Sequence, residues 1–142
     1  MLIRSESPEF TENLGRRLAE KLKGTEIIMF YGDLGTGKTT FIRGLASGLG
    51  VEDTRVVTSP TYTIMNIYDG KYTIYHYDMY RICSEDDLYS VGFFDYIGKG
   101  VVLIEWSENI DDFFPGKEAV MRVRIDFMDK NNRFLYFYGV NI

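Results

Sequence analysis

The chain has 142 residues, a formal charge of −5, 45% hydrophobic and 26% charged residues. That suits one folded domain with a real core and argues against broad docking onto nucleic acid, which needs basic surface and counterion release. Cys83 is the single cysteine, so no intrachain disulfide forms and a reducing compartment fits. The opening residues lack a signal-like apolar stretch, and no apolar run is long enough to span a bilayer. The cytosol is the expected location, without a membrane.

In chain order, Ser7-Pro8-Glu9 leads into FTENLGRRLAEKLKG. A serine cap, a proline at the first helical position and a closing Gly24 predict a helix. Phe10, Leu14, Leu18 and Leu22 form its expected apolar stripe. EIIMFYG is a nearly continuous apolar run ending in Gly32, the pattern of a strand buried on both faces of a parallel sheet. KTTFIRGLASGLG then reads as a helix despite its glycines. TYTIMNIY and KYTIYHY flank Asp69-Gly70 and predict a hairpin. Ser84 caps a short helix over EDDLYSVGF, with three carboxylates at its positive end. VVLIEW is a second buried-type strand. VMRVRIDF, the turn DKNNR and FLYFYGV predict another hairpin. No repeat or linker divides the chain, so residues 1–142 read as a single domain.

GDLGTGKTT, Gly32–Thr40, matches the phosphate-loop pattern at every fixed position. Chance gives such a match in roughly one chain of this length in a few hundred. It also lies between a predicted strand and a predicted helix, as the mechanism requires. Glycines let backbone N–H groups converge on an anion, with the helix dipole behind them. The expected nucleotide contacts are Gly32, Asp33, Leu34, Gly35, Thr36, Gly37, Lys38, Thr39 and Thr40. Lys38 would reach the outer phosphates, and the Thr39 hydroxyl would hold magnesium.

Such a site also needs a carboxylate at the carboxyl edge of a neighbouring strand. Glu105, directly after VVLI, stands there as a candidate for the metal, the attacking water, or both. Asp78, in HYDMYR, competes for the same work. Arg81 is either a charge-neutralising group or a salt-bridge partner. His76, the lone histidine, reads first as a hydrogen-bonded packing residue and second as a base. Thr58-Ser59-Pro60-Thr61-Tyr62 has two readings, a switch-like loop closing over the γ-phosphate or a proline turn with hydroxyls bonding backbone.

Other nucleotide-binding classes fit less well. There is no N-K-x-D, and Asp95-Tyr-Ile-Gly98 matches D-x-x-G at only two cheap positions. The protein-kinase motifs are absent. No arginine-rich helical insert supplies the lid of a small-molecule kinase.

GDLGTGKTT, SPTYT, YHYDMYR and LIEW, in this order and spacing, resemble the TsaE (YjeE) family over about Leu14 to Pro115. The resemblance implies an α/β, P-loop NTPase-type three-layer fold, with a mostly parallel central sheet and antiparallel hairpins in the middle and at the C-terminus. It implies an ATP- and Mg2+-dependent ATPase, weak alone, that serves the threonylcarbamoyladenosine modification of tRNA. TsaD and TsaB are the implied partners, with TsaD carrying out the transfer, and tRNA is met only through the complex. It assigns catalytic roles to Glu105, Asp78, Lys38 and Thr61, with Thr39 and Glu105 at the metal, Trp106 as the aromatic after Glu105, and Pro8 and Arg133 near the nucleotide base. An acidic chain that meets tRNA only within a complex is consistent with its charge. The excess of tyrosine and phenylalanine reads either as a partner surface or as core packing. A small-molecule kinase and a nucleotide sensor without turnover stand as the alternative functions.

Overall fold

The computed structural model describes residues 1–33, 35–61, 63–112 and 120–142. Seven strands form one sheet in the order β1-β7-β6-β2-β5-β4-β3. They are β1 (Leu2–Ser5), β2 (Ile27–Tyr31), β3 (Met65–Asp69), β4 (Thr73–Asp78), β5 (Val101–Glu105), β6 (Met121–Phe127) and β7 (Arg133–Tyr138). The central strands β6, β2, β5 and β4 run parallel. The outer pairs β3/β4, β6/β7 and β1/β7 are antiparallel. The expected sheet is therefore present, with both hairpins in place.

Burial explains why the two central strands announce themselves. In β5, Val101 and Leu103 enter the core under one face, while Val102 and Ile104 enter the core under the other. In β2, Ile28 and Phe30 alternate with Met29 in the same way. A strand covered on both sides has no polar face to show.

Helices α1 (Pro8–Ala19) and α2 (Lys38–Gly48) cover one face. The Ser7 hydroxyl accepts from the Phe10 N–H at 3.1 Å, and Pro8 occupies the first turn, as expected. The buried stripe of α1 is Thr11, Leu14, Gly15, Leu18 and Ala19, continued by Leu22. Phe10 is a correction: it is 43% exposed. A repeat of four drifts about 40° per step around a helix of 3.6 residues per turn, which carries Phe10 off the stripe. The glycines of α2 also have a reason. A Cβ at Gly44 would collide with the Glu12 carbonyl of α1, so the two helices approach backbone to backbone there.

The short helix α3 (Glu85–Ser90) lies in the crossover between β4 and β5. Its Ser84 cap accepts from Asp87 N–H at 3.1 Å. Leu88 of α3 joins Phe93, Ile82 and Ile110 against Met29, Tyr77 and Ile104 on the second face. Phe30, Phe41, Tyr77, Phe93 and Phe137 are all buried, so much of the aromatic excess is core. Tyr80, Tyr89 and Tyr138 remain exposed. Among the described residues, no helix is long and apolar enough to cross a membrane.

Candidate functional site

The turn from β2 into α2 lies at the carboxyl edge of the parallel strands. Gly32, Gly35 and Gly37 have φ of 137°, 77° and 106°, a region open to glycine at no steric cost. Helix α2 follows directly, with Gly37, which has no side chain to cap the helix, at its N-cap. Its first N–H groups are therefore left for a ligand. Leu34 lies outside the described residues, and Asp33 is exposed.

A cavity of about 310 Å³ opens at this helix end, lined by Gly35, Gly37, Lys38, Thr39, Thr40 and Glu105, and also by Pro8, Ser59, Trp106 and Arg133. Residues from the two ends of the chain thus meet around the glycine loop. Lys38 is buried at 5% exposure. Its Nζ donates to Gly32 O at 2.5 Å and sits 4.8 Å from the Trp106 ring centroid. Trp106 adopts φ 57°, turning the chain sharply after β5 and bringing the indole beside the lysine.

The two carboxylates stand in register, Asp78 beside Glu105, at the ends of neighbouring parallel strands. Both are buried, at 2% and 3% exposure, but they do different things. Glu105 lines the cavity and its Oε2 lies 2.6 Å from His76 Nε2. Asp78 accepts from Thr61 Oγ1 at 2.9 Å, Ser59 Oγ at 3.1 Å and Tyr80 N–H at 2.8 Å. Among the described residues, neither Asp78 nor Thr61 lines the cavity. The hydroxyl loop is thus tied down by Asp78, with Ser59 reaching the cavity. Tyr62 lies outside the described residues.

Arg133, from β7, donates to the carbonyls of Thr36 at 3.0 Å and Gly35 at 3.4 Å. It therefore braces the glycine loop as well as lining the cavity. Lys130 and Asn131, in the turn between β6 and β7, line the same cavity and carried no motif of their own. The Asn132 amide and the Asn131 N–H hold the Asp129 carboxyl below its usual range and shape that turn. Glu108 Oε2 accepts from Gly32 N–H at 3.2 Å, another contact invisible to motif reading. Among the described residues, no three His, Cys, Asp or Glu side chains cluster as a metal cage.

The family described as Threonylcarbamoyl adenosine biosynthesis protein TsaE matches residues 5–135. The chain belongs to the TsaE family. The tRNA threonylcarbamoyladenosine biosynthesis protein TsaE of Rickettsia felis is 37% identical over 134 residues, 94% of this chain and 76% of the relative. The TsaE protein of Bacillus subtilis is 42% identical over 114 residues, 79% of this chain and 70% of the relative. A crystal structure of Bacillus subtilis YdiB superposes with a TM-score of 0.76 at 32% identity, covering 96% of this chain and 83% of that one. The TsaE match reaches from β1 into β7, well past the segment that carries the motifs, so it includes both Pro8 and Arg133.

Proposed function

We propose that this TsaE-family chain binds and hydrolyses ATP with magnesium, and acts with TsaD- and TsaB-type partners in the threonylcarbamoyladenosine modification of tRNA. The supporting observation is the meeting of Lys38, Thr39 and Glu105 with an uncapped helix N-terminus in one cavity.

The chemistry follows from what each group offers. The N–H groups of the phosphate loop and α2 bind the phosphates, helped by the helix dipole. Lys38 exchanges its bond to Gly32 O for the outer phosphate oxygens and neutralises charge there. Glu105, an acceptor within the cavity, orients the attacking water. Asp78 acts at one remove, holding Ser59 and Thr61 in place. Pro8, Asn131 and Arg133 also line the cavity and are the candidates for contact with the base.

The donor set fits magnesium, which keeps several waters and takes only one or two protein ligands beside phosphate. Thr39 and Glu105, which both line the cavity, are the residues that would hold it. When bound, magnesium would withdraw charge from the phosphate oxygens.

The test is inorganic phosphate release from MgATP, alone and with the partner complex. Release is expected to be weak alone and changed by the partners. Lys38→Ala and Glu105→Ala should abolish it. Wild-type turnover in Glu105→Ala would show that another group performs its role. Transfer of labelled γ-phosphate to a metabolite in cell extract would instead make the chain a kinase.

A further inference from the structure

Behind Glu105 runs a buried chain of hydrogen bonds across three strands. His76 of β4 is fully buried, with Nε2 2.6 Å from Glu105 Oε2 and Nδ1 2.8 Å from the Tyr68 hydroxyl. Tyr68, on β3, is 4% exposed. All three side chains lie on the sheet face covered by α1 and α2. Tyr68, Ile74, Val101 and Leu103 belong to that core, while His76 lies two residues after Ile74 and Glu105 two after Leu103, and residues two apart share a face.

The bonding order follows from donor and acceptor capacity. An ionised carboxylate only accepts, so Nε2 carries the proton given to Glu105. Nδ1 is then left to accept, and Tyr68 supplies the donor. Burial pushes the Tyr68 phenol above its usual range and keeps that proton on the oxygen. Its alternative acceptor, the Thr58 carbonyl, is farther away at 3.5 Å.

We propose that His76 is a positioning residue for Glu105, held by Tyr68 in the Nε2–H tautomer so that the carboxylate is oriented before nucleotide arrives. A glutamate has three side-chain torsions, and binding one oxygen to a buried ring removes much of that freedom. Partners behind a ligating or reacting carboxylate typically change activity or metal affinity about 10–100-fold when lost. The inference rests on the reading of Glu105 as the group that handles metal or water.

The first test reads the ring nitrogens of His76 by 15N NMR in nucleotide-free protein, where the lone histidine gives an unambiguous signal. A proton-bearing Nε2 and a bare Nδ1 are expected, and Tyr68→Phe should mix the tautomers. A bare Nε2, or protons on both nitrogens, would overturn the proposal. The second test compares two amides in the same position. His76→Gln places an N–H near the position of Nε2, whereas His76→Asn mimics only Nδ1 and falls short of Glu105. With similar melting temperatures, Gln should retain kcat within a few-fold and Asn should lose about 10–100-fold, both with KM for ATP nearly unchanged. Retained kcat in both variants would mean that His76 only packs, and an equal loss in both would overturn the Nε2–H assignment. A wild-type chain without turnover would sink the ATPase reading alone, while the nitrogen spectrum would still decide the His76 assignment.

Discussion

Asp78 and Glu105 are register partners at the ends of β4 and β5, yet only Glu105 reaches the cavity. Removing their charges should therefore give different defects. Glu105→Gln should retain nucleotide binding and lose hydrolysis by at least about 100-fold. Asp78→Asn should weaken the anchorage of Ser59, Thr61 and Tyr80 N–H, lowering stability by about 1–3 kcal/mol. Hydrogen exchange would rise at Ser59 and Thr61. Identical kinetic and exchange behaviour in the two variants would contradict this division.

Trp106 is the single tryptophan, and the Lys38 ammonium lies 4.8 Å from its ring. With Lys38 buried, the pair interaction is worth about 2 kcal/mol, which charge-assisted bonds to several phosphate oxygens would exceed. Nucleotide binding should draw Lys38 off the indole and change its emission in a saturable way. Emission that stays constant while equilibrium dialysis shows bound ATP would rule out this exchange.

Gly44→Ala tests the contact between the two helices. Alanine favours an isolated helix by about 1 kcal/mol, so propensity alone predicts stabilisation. The collision with the Glu12 carbonyl should reverse the sign, with a net loss of about 1–3 kcal/mol. The midpoint of urea unfolding should fall, and a rise would show that α1 yields without cost.

Glu26 governs part of the acid limb of stability. Burial pushes its carboxyl up, but N–H donation from Lys23, Gly24 and Thr25 outweighs this and holds it below its usual 4.5. A carboxylate depressed on folding stabilises above its unfolded value and loses that contribution as pH falls through the folded one. Glu26→Gln should therefore lower stability at pH 7 by no more than about 1 kcal/mol, since solvent still screens a half-buried group. Below pH about 4.5 the difference should shrink. A gap that widens in acid would refute the assignment.

The fold was legible where local chemistry and burial agree. β2 and β5 are apolar throughout because both faces are covered, and the glycine loop before α2 carries its own conformational requirement. β1 escaped notice because LIRS is short, partly exposed and has no turn signal. Its pairing partner is β7, near the other end of the chain. Asp78 and Glu105 could be named from strand ends, but their separate tasks could not. Which hydroxyl meets Asp78, and which ring nitrogen meets Glu105, depends on neighbours chosen by sheet order. The same applies to Lys130 and Asn131, polar turn residues until β6 pairs with β2.

Arg133 grips the Thr36 carbonyl across 97 residues of sequence, so the final shape of the glycine loop depends on a strand from the far end of the chain. The motif itself is local, but its brace arrives only when the C-terminal hairpin docks on β2. Non-local pairings carry a larger loop-closure cost than local helices and slow the folding that depends on them. In refolding from urea, capture of a fluorescent ATP analogue should therefore lag behind the helical signal of α1 and α2. Simultaneous recovery would show that the loop takes its binding shape unaided. One hydrogen bond thus ties a local glycine turn to the completion of the sheet.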